Sequence, residues 1–214
     1  MFGIGSALIA TAFGLPPLAV EDTLKAHQRA KLERYVEVLF CVMRPARYDE
    51  GSEAVVFGEM HVFAGNGFVI TVRRGPSPSL SAVRADLEAR AHLLREGSGP
   101  LLHALMDRVV DDYAPVSDGI RNDIDEIEDA LFADGDDAHA ASSRRIYELT
   151  REVIAFQRAL SPLAGMIDAM MDDDIPDGAE ELQYLRDVKD HVLRLGDHVD
   201  GYRALLDNLL HVNL

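Results

Sequence analysis

The period of the apolar positions along this chain changes partway through, and the change predicts two kinds of structure. Up to about residue 78 the apolar runs are short and rich in β-branched and aromatic residues. Residues 35–43, 55–63 and 68–72 read as strands, and Gly65-Asn66-Gly67 between the last two is a hairpin signal. Two short helices are expected ahead of them. One spans 8–13 and is ended by Gly14-Leu15-Pro16-Pro17; the other runs from about Leu18 through His27. Such strands leave apolar faces that helices must cover, so a layered α/β domain with a mixed sheet is expected.

After Gly75-Pro76-Ser77-Pro78 the apolar spacing becomes three and four. Leu102, Leu105, Val109, Tyr113, Val116, Ile120, Ile124, Ile127 and Leu131 predict one helix of about 30 residues, or about 45 Å. A polar break at 134–137 turns the chain. Ile146, Leu149, Val153, Phe156, Leu160, Leu163, Ile167 and Met170 predict the returning helix, kinked at Pro162 and ended over 172–178. Leu185, Val188, Val192, Leu195, Val199, Tyr202, Leu206 and Leu209 then form a heptad-like seam. It ends without a cap on apolar residues, so this helix is expected to continue past Leu214. A helix this long implies packing against the hairpin or against copies of itself. The expected organisation is an α/β domain over 1–78, helices including a long hairpin over 79–175, and a C-terminal stalk helix over 176–214.

Composition narrows the function. With 48% hydrophobic and 27% charged residues the chain falls among folded proteins rather than disordered ones. Its 37 acidic against 21 basic residues give a net charge of -16, which repels nucleic acid and suits cations. Residues 107–137 alone hold twelve acids against Arg108 and Arg121. The single cysteine, Cys41, lies in an apolar run and has no internal disulfide partner. No apolar run approaches the roughly 20 residues of a membrane helix. A nucleophile–base constellation, a phosphate-binding glycine loop and an HExxH motif are all missing, so an enzyme is not expected.

Three strings occur in order: GLPPLAVEDTLKAHQRAKLE at 14–33, LLHALMDRVVDDYAPV at 101–116 and YLRDVKDHVLRLGDHVDGYRALLDNLL at 184–210. Together they resemble the CorA family of magnesium transporters. The resemblance implies the cytosolic part of such a transporter, without the two membrane helices and the GMN motif that follow in the family, and with further strands ahead of the first string. It implies a homopentamer at the cytoplasmic face of the cell membrane, with divalent ions held between neighbouring copies. By motif, Asp22 and Asp187 would face each other across a subunit boundary. Asp107 would serve a second ion, with Glu21, His27 and His191 as neighbours. The acidic hairpin tip would lie near the membrane.

Mg2+ keeps much of its water and needs only one or two carboxylates, which agrees with this pattern. Asp187 and His191 share a helix face at i and i+4, a spacing that Co2+ or Zn2+ also use. As residues alone, Asp187 equally fits a solvated helix face, Asp22 a first-turn acid favoured by the helix dipole, and His27 a structural histidine. A zinc or cobalt transporter relative and a metal-independent helical interaction module are the competing functions. The chain departs from the family at Ala30, where proline is common, and at Lys189, where an aromatic is frequent. Lys189 would place a positive charge near Asp187 and weaken cation affinity.

Overall fold

A computed structural model describes residues 4–95, 97–132, 136–172 and 179–212. Helices α1 (Ile4–Ala12) and α2 (Pro17–Lys25) open the chain. Pro17 sits at the start of α2, where its missing N–H costs nothing. Six strands follow: β1 (Lys31–Arg34), β2 (Val38–Met43), β3 (Ala46–Asp49), β4 (Ala54–Phe57), β5 (Glu59–Gly65) and β6 (Phe68–Arg74). Four of them form a sheet in the order β1-β2-β5-β6, and β3 and β4 form a separate two-stranded ribbon. All described pairings are antiparallel, so the sheet expected to be mixed is an antiparallel one. The expected hairpin is present, with Gly65 paired to Phe68 and Gly67 at φ 77°.

The layers follow from strand alternation. Phe40 and Val42 of β2 and Phe63 of β5 pack with Leu15 and Ala19 beneath α1 and α2. Cys41 and Met43, with Met60, Val62 and Ala64, join the main core on the opposite face. The expected strand over 55–63 is divided at Gly58, because its two halves pair with different partners. A Cβ at Gly58 would lie 1.8 Å from the Pro76 carbonyl oxygen, so only glycine fits this crossing.

The helical part comprises α3 (Leu80–Ala89), α4 (Gly99–Asp111), α5 (Tyr113–Phe132), α6 (Asp136–Asp172) and α7 (Ala179–Val212). The single helix expected through Leu102 and Leu131 is therefore two, interrupted at Asp112. Pro115 explains the break: it has no N–H to offer the Asp111 carbonyl and its ring crowds that position. Helix α6 continues through Pro162. Of the two expected breaks, residues 133–135 and 173–178 lie outside the described residues. The eight seam residues of α7 are all buried, and α7 packs on α6, α5 and α4. Tyr113 lies at the centre of the main core, edge-on to Phe156 at 5.2 Å, with its hydroxyl donating to the Arg44 carbonyl at 2.8 Å.

The ribbon is fastened to the helices by polar contacts. Tyr48 donates to Asp123 of α5 at 2.8 Å, and the Val55 N–H donates to Glu152 of α6 at 2.8 Å. The Tyr48 ring lies on Gly119, where a Cβ would come within 2.4 Å of it. Gly119→Ala is expected to lower stability by about 1–3 kcal/mol in urea unfolding, because displacing Tyr48 outweighs the gain of about 1 kcal/mol in helix propensity. Gly165→Ala on α6, which meets no atom within 4 Å, should instead stabilise by up to about 1 kcal/mol.

Candidate metal centre

Packing of the α7 seam brings its flank beside α4, and the two helices gather acidic side chains there. Asp107 is partly buried on α4 and Asp111 lies one turn on. Across from them on α7, Asp187 is exposed, and His191 Nδ1 stands 4.0 Å from Asp111 Oδ1. Burial raises the Asp107 carboxyl above its ordinary range, and the negative charges of Asp111 and Asp187 add to the rise. His191 and Arg90 oppose it without cancelling it. Among the described residues, no lysine or arginine forms an ion pair with Asp107 or Asp187. Lys189 is held away from Asp187, because its Nζ donates to Asp168 of α6 at 2.5 Å. Three expected site residues, Asp107, Asp187 and His191, thus come together within one chain. Asp111 joins them; its i+4 spacing from Asp107 was the readable signal.

The other expected residues form a second cluster at the end of α2. Glu21 is ion-paired with Lys25. Asp22 accepts from Lys31 Nζ at 2.6 Å. His27 is exposed, on a backbone where Ala26 and His27 both adopt left-handed φ angles of 58° and 59°. Consecutive non-glycine residues in that region are strained. Their geometry is fixed from β5: Glu59 accepts the His27 N–H at 2.8 Å and the Gln28 N–H at 3.4 Å. Glu59 also pairs at 2.6 Å with the fully buried His61, whose other ring nitrogen meets Thr23 of α2 at 3.3 Å. Arg74 caps the last turn of α2 by donating to the Thr23 and Leu24 carbonyls. Within one chain, Asp22 and Asp187 therefore belong to different clusters.

A third acidic group was not anticipated. Ligand atoms of Glu53, Asp123 and Glu126 lie within 4.8 Å of one another, the one such group among the described residues. Arg145 already occupies it, donating to Glu126 at 2.7 Å, to Glu53 at 2.9 Å and to Asp123 at 3.4 Å. Its acids come from a turn and one helix, α5, with Arg145 reaching in from α6, and only Asp123 and Glu126, at i and i+3, share a local spacing.

Of the three, the Asp107 group is the one in which, among the described residues, no lysine or arginine is ion-paired with Asp107 or Asp187. Its donors are carboxylate oxygens and one imidazole, and among the described residues no three of them lie within the 4.8 Å of one another that Glu53, Asp123 and Glu126 reach. Donors of this kind suit a cation that keeps part of its water, and an imidazole is also a ligand of transition metals.

The chain belongs to the CorA-like Mg2+ transporter protein family, whose model matches residues 7–212. It is similar to the cobalt/magnesium transport protein CorA of Thermotoga maritima, 26% identical over 94% of this chain and 57% of that protein. It is also similar to the magnesium transporter ALR1 of Saccharomyces cerevisiae, 31% identical over 74% of this chain and 19% of that protein. The fold matches the complete structure of the CorA magnesium transporter from Methanocaldococcus jannaschii with a TM-score of 0.75, at 15% identity, over 97% of this chain and 65% of that one. It matches the ZntB cytoplasmic domain from Vibrio parahaemolyticus with a TM-score of 0.61, at 15% identity, over 94% of this chain and 79% of that one. The chain thus spans less than two thirds of the length of its matched curated relatives. No helix among the described residues is long and apolar enough to cross a membrane.

The raised Asp107 carboxyl sets the sign of a pH dependence. The folded chain holds that proton to higher pH than the unfolded chain, so Asp107 weakens the fold above its folded pKa. The penalty fades as pH falls toward the ordinary carboxylate value. Asp107→Asn is expected to raise the metal-free Tm at neutral pH and to flatten the gain in stability on mild acidification, both read by thermal unfolding.

Proposed function

We propose that this chain is the divalent-cation-sensing and gating part of a magnesium transporter at the cytoplasmic face of a membrane. In this reading the units are the α/β part over 1–78, the helices over 79–175 and a stalk over 176–214 that leads toward the membrane. Copies assemble into a ring of five. A hydrated Mg2+ between Asp22 of one copy and Asp187 of the next offsets carboxylate repulsion, and Asp107 serves a neighbouring ion. With Mg2+ bound the ring is held closed; when the ion leaves, the carboxylates repel and the ring loosens. Moving such an equilibrium from 1:99 to 99:1 takes about 5.5 kcal/mol, which five weak sites supply at about 1 kcal/mol each. This chain's residues hold and release a regulatory ion and take no part in bond chemistry.

The observation that carries this reading is Asp107, partly buried beside the charges of Asp111 and Asp187 and, among the described residues, ion-paired with no lysine or arginine. Such a group relaxes when a mobile cation arrives. A second reading, transport of cobalt or zinc, is favoured by His191 beside Asp111, since an imidazole adds affinity for transition metals.

Titration with Mg2+ is expected to raise the Tm of the wild-type chain, and Asp187→Asn is expected to remove most of the rise. An equal rise in the variant contradicts the proposal. Comparing Co2+ and Zn2+ with Mg2+ on wild type and His191→Ala separates the two readings: a transition-metal preference that disappears with the imidazole supports the second.

A further inference from the structure

What occupies Asp22 in the absence of a divalent ion bears on how the site responds, an inference that rests on the reading of Asp22 as a cation ligand. Lys31 opens β1, and its side chain is only 26% exposed. Its Nζ donates to Asp22 Oδ2 at 2.6 Å and to Glu33 Oε1 at 2.7 Å, and lies 5.6 Å from the centre of the Phe40 ring. Glu33 is itself steadied by the Tyr35 hydroxyl at 3.1 Å. A divalent ion approaching Asp22 therefore meets a carboxylate already held by an ammonium group that has a second carboxylate to rest on.

We propose that Lys31 is a tethered counter-cation that competes with the divalent ion for Asp22 and so sets the ion concentration at which the site fills. When the ion arrives, the Lys31 ammonium keeps Glu33 and releases Asp22. When the ion leaves, it returns and neutralises Asp22, so the empty site carries less repulsion than two bare carboxylates would. Lys189 has no such role, because its ammonium is committed to Asp168.

The test follows Tm against MgCl2 concentration for the 214-residue chain and the variants Lys31→Gln, Lys31→Arg and Asp22→Asn. Lys31→Gln is expected to shift the half-maximal Mg2+ concentration about tenfold lower, and to lower the metal-free Tm because Asp22 and Glu33 lose their partner. Lys31→Arg, which keeps the charge, should remain near wild type, and Asp22→Asn should shift the half-maximal concentration upward. A half-maximal concentration unchanged or raised in Lys31→Gln, with Asp22→Asn still shifting it upward, overturns the competition while leaving the cation site standing. An unchanged half-maximal concentration in Asp22→Asn overturns both.

Discussion

Burial of one face of α7 governs the chemistry of this molecule. The eight apolar side chains from Leu185 to Leu209 pack against α4, α5 and α6, and each contributes on the order of 1.5–3 kcal/mol when taken out of water. That packing leaves α7 no freedom to rotate, so its flank lies beside α4 whatever charges it carries. Asp187 is brought toward Asp107 and Asp111 although like charges at such range are unfavourable. Helix packing sustains this repulsion, and in the proposed reading an arriving cation relieves it.

The three acidic clusters differ in what neutralises them. At Glu53, Asp123 and Glu126 the cation is Arg145, a planar multi-donor group that joins the β3–β4 ribbon to the helical hairpin. At Asp22 it is Lys31, a flexible ammonium group shared with Glu33. At Asp107 no lysine or arginine among the described residues forms an ion pair, and Arg90 and His191 act only through space. Along that series the partner changes from a planar guanidinium to a flexible ammonium to no ion-paired lysine or arginine among the described residues, and the proposed reading places the external ion at the last two. Screening by salt affects the exposed Asp187 more than the partly buried Asp107, so the two should lose their coupling gradually as ionic strength rises.

Much of this was legible in the sequence. The α7 seam, the β5–β6 hairpin and the layered N-terminal part were visible because repeated apolar spacing is a local signal. Asp107, Asp187 and His191 came from motif strings, and the fold brought them together. The division at Asp112 was missed because the apolar spacing continues through it, although Pro115 was there to be read. Strand β1, Lys-Leu-Glu-Arg, carries no β-branched or aromatic residue and exists through its pairing with β2. The Arg145 cluster depends on residues that only tertiary structure brings to one place, and so do the contacts of Glu59 and His61 with Thr23, His27 and Gln28. Glu59 and His61 lie two apart on a strand face that reads as apolar at its other positions.

The central claim is that a divalent cation relieves carboxylate repulsion where α2 and the α4–α7 flank present their acids. Amide hydrogen exchange with and without Mg2+ tests this most directly, since it locates stabilisation along the chain. The account predicts slowed exchange in α2 and in α4 and α7 around Asp107 and Asp187, with little change around Arg145. Unchanged exchange in those helices, or protection confined to the Glu53, Asp123 and Glu126 cluster, would contradict it.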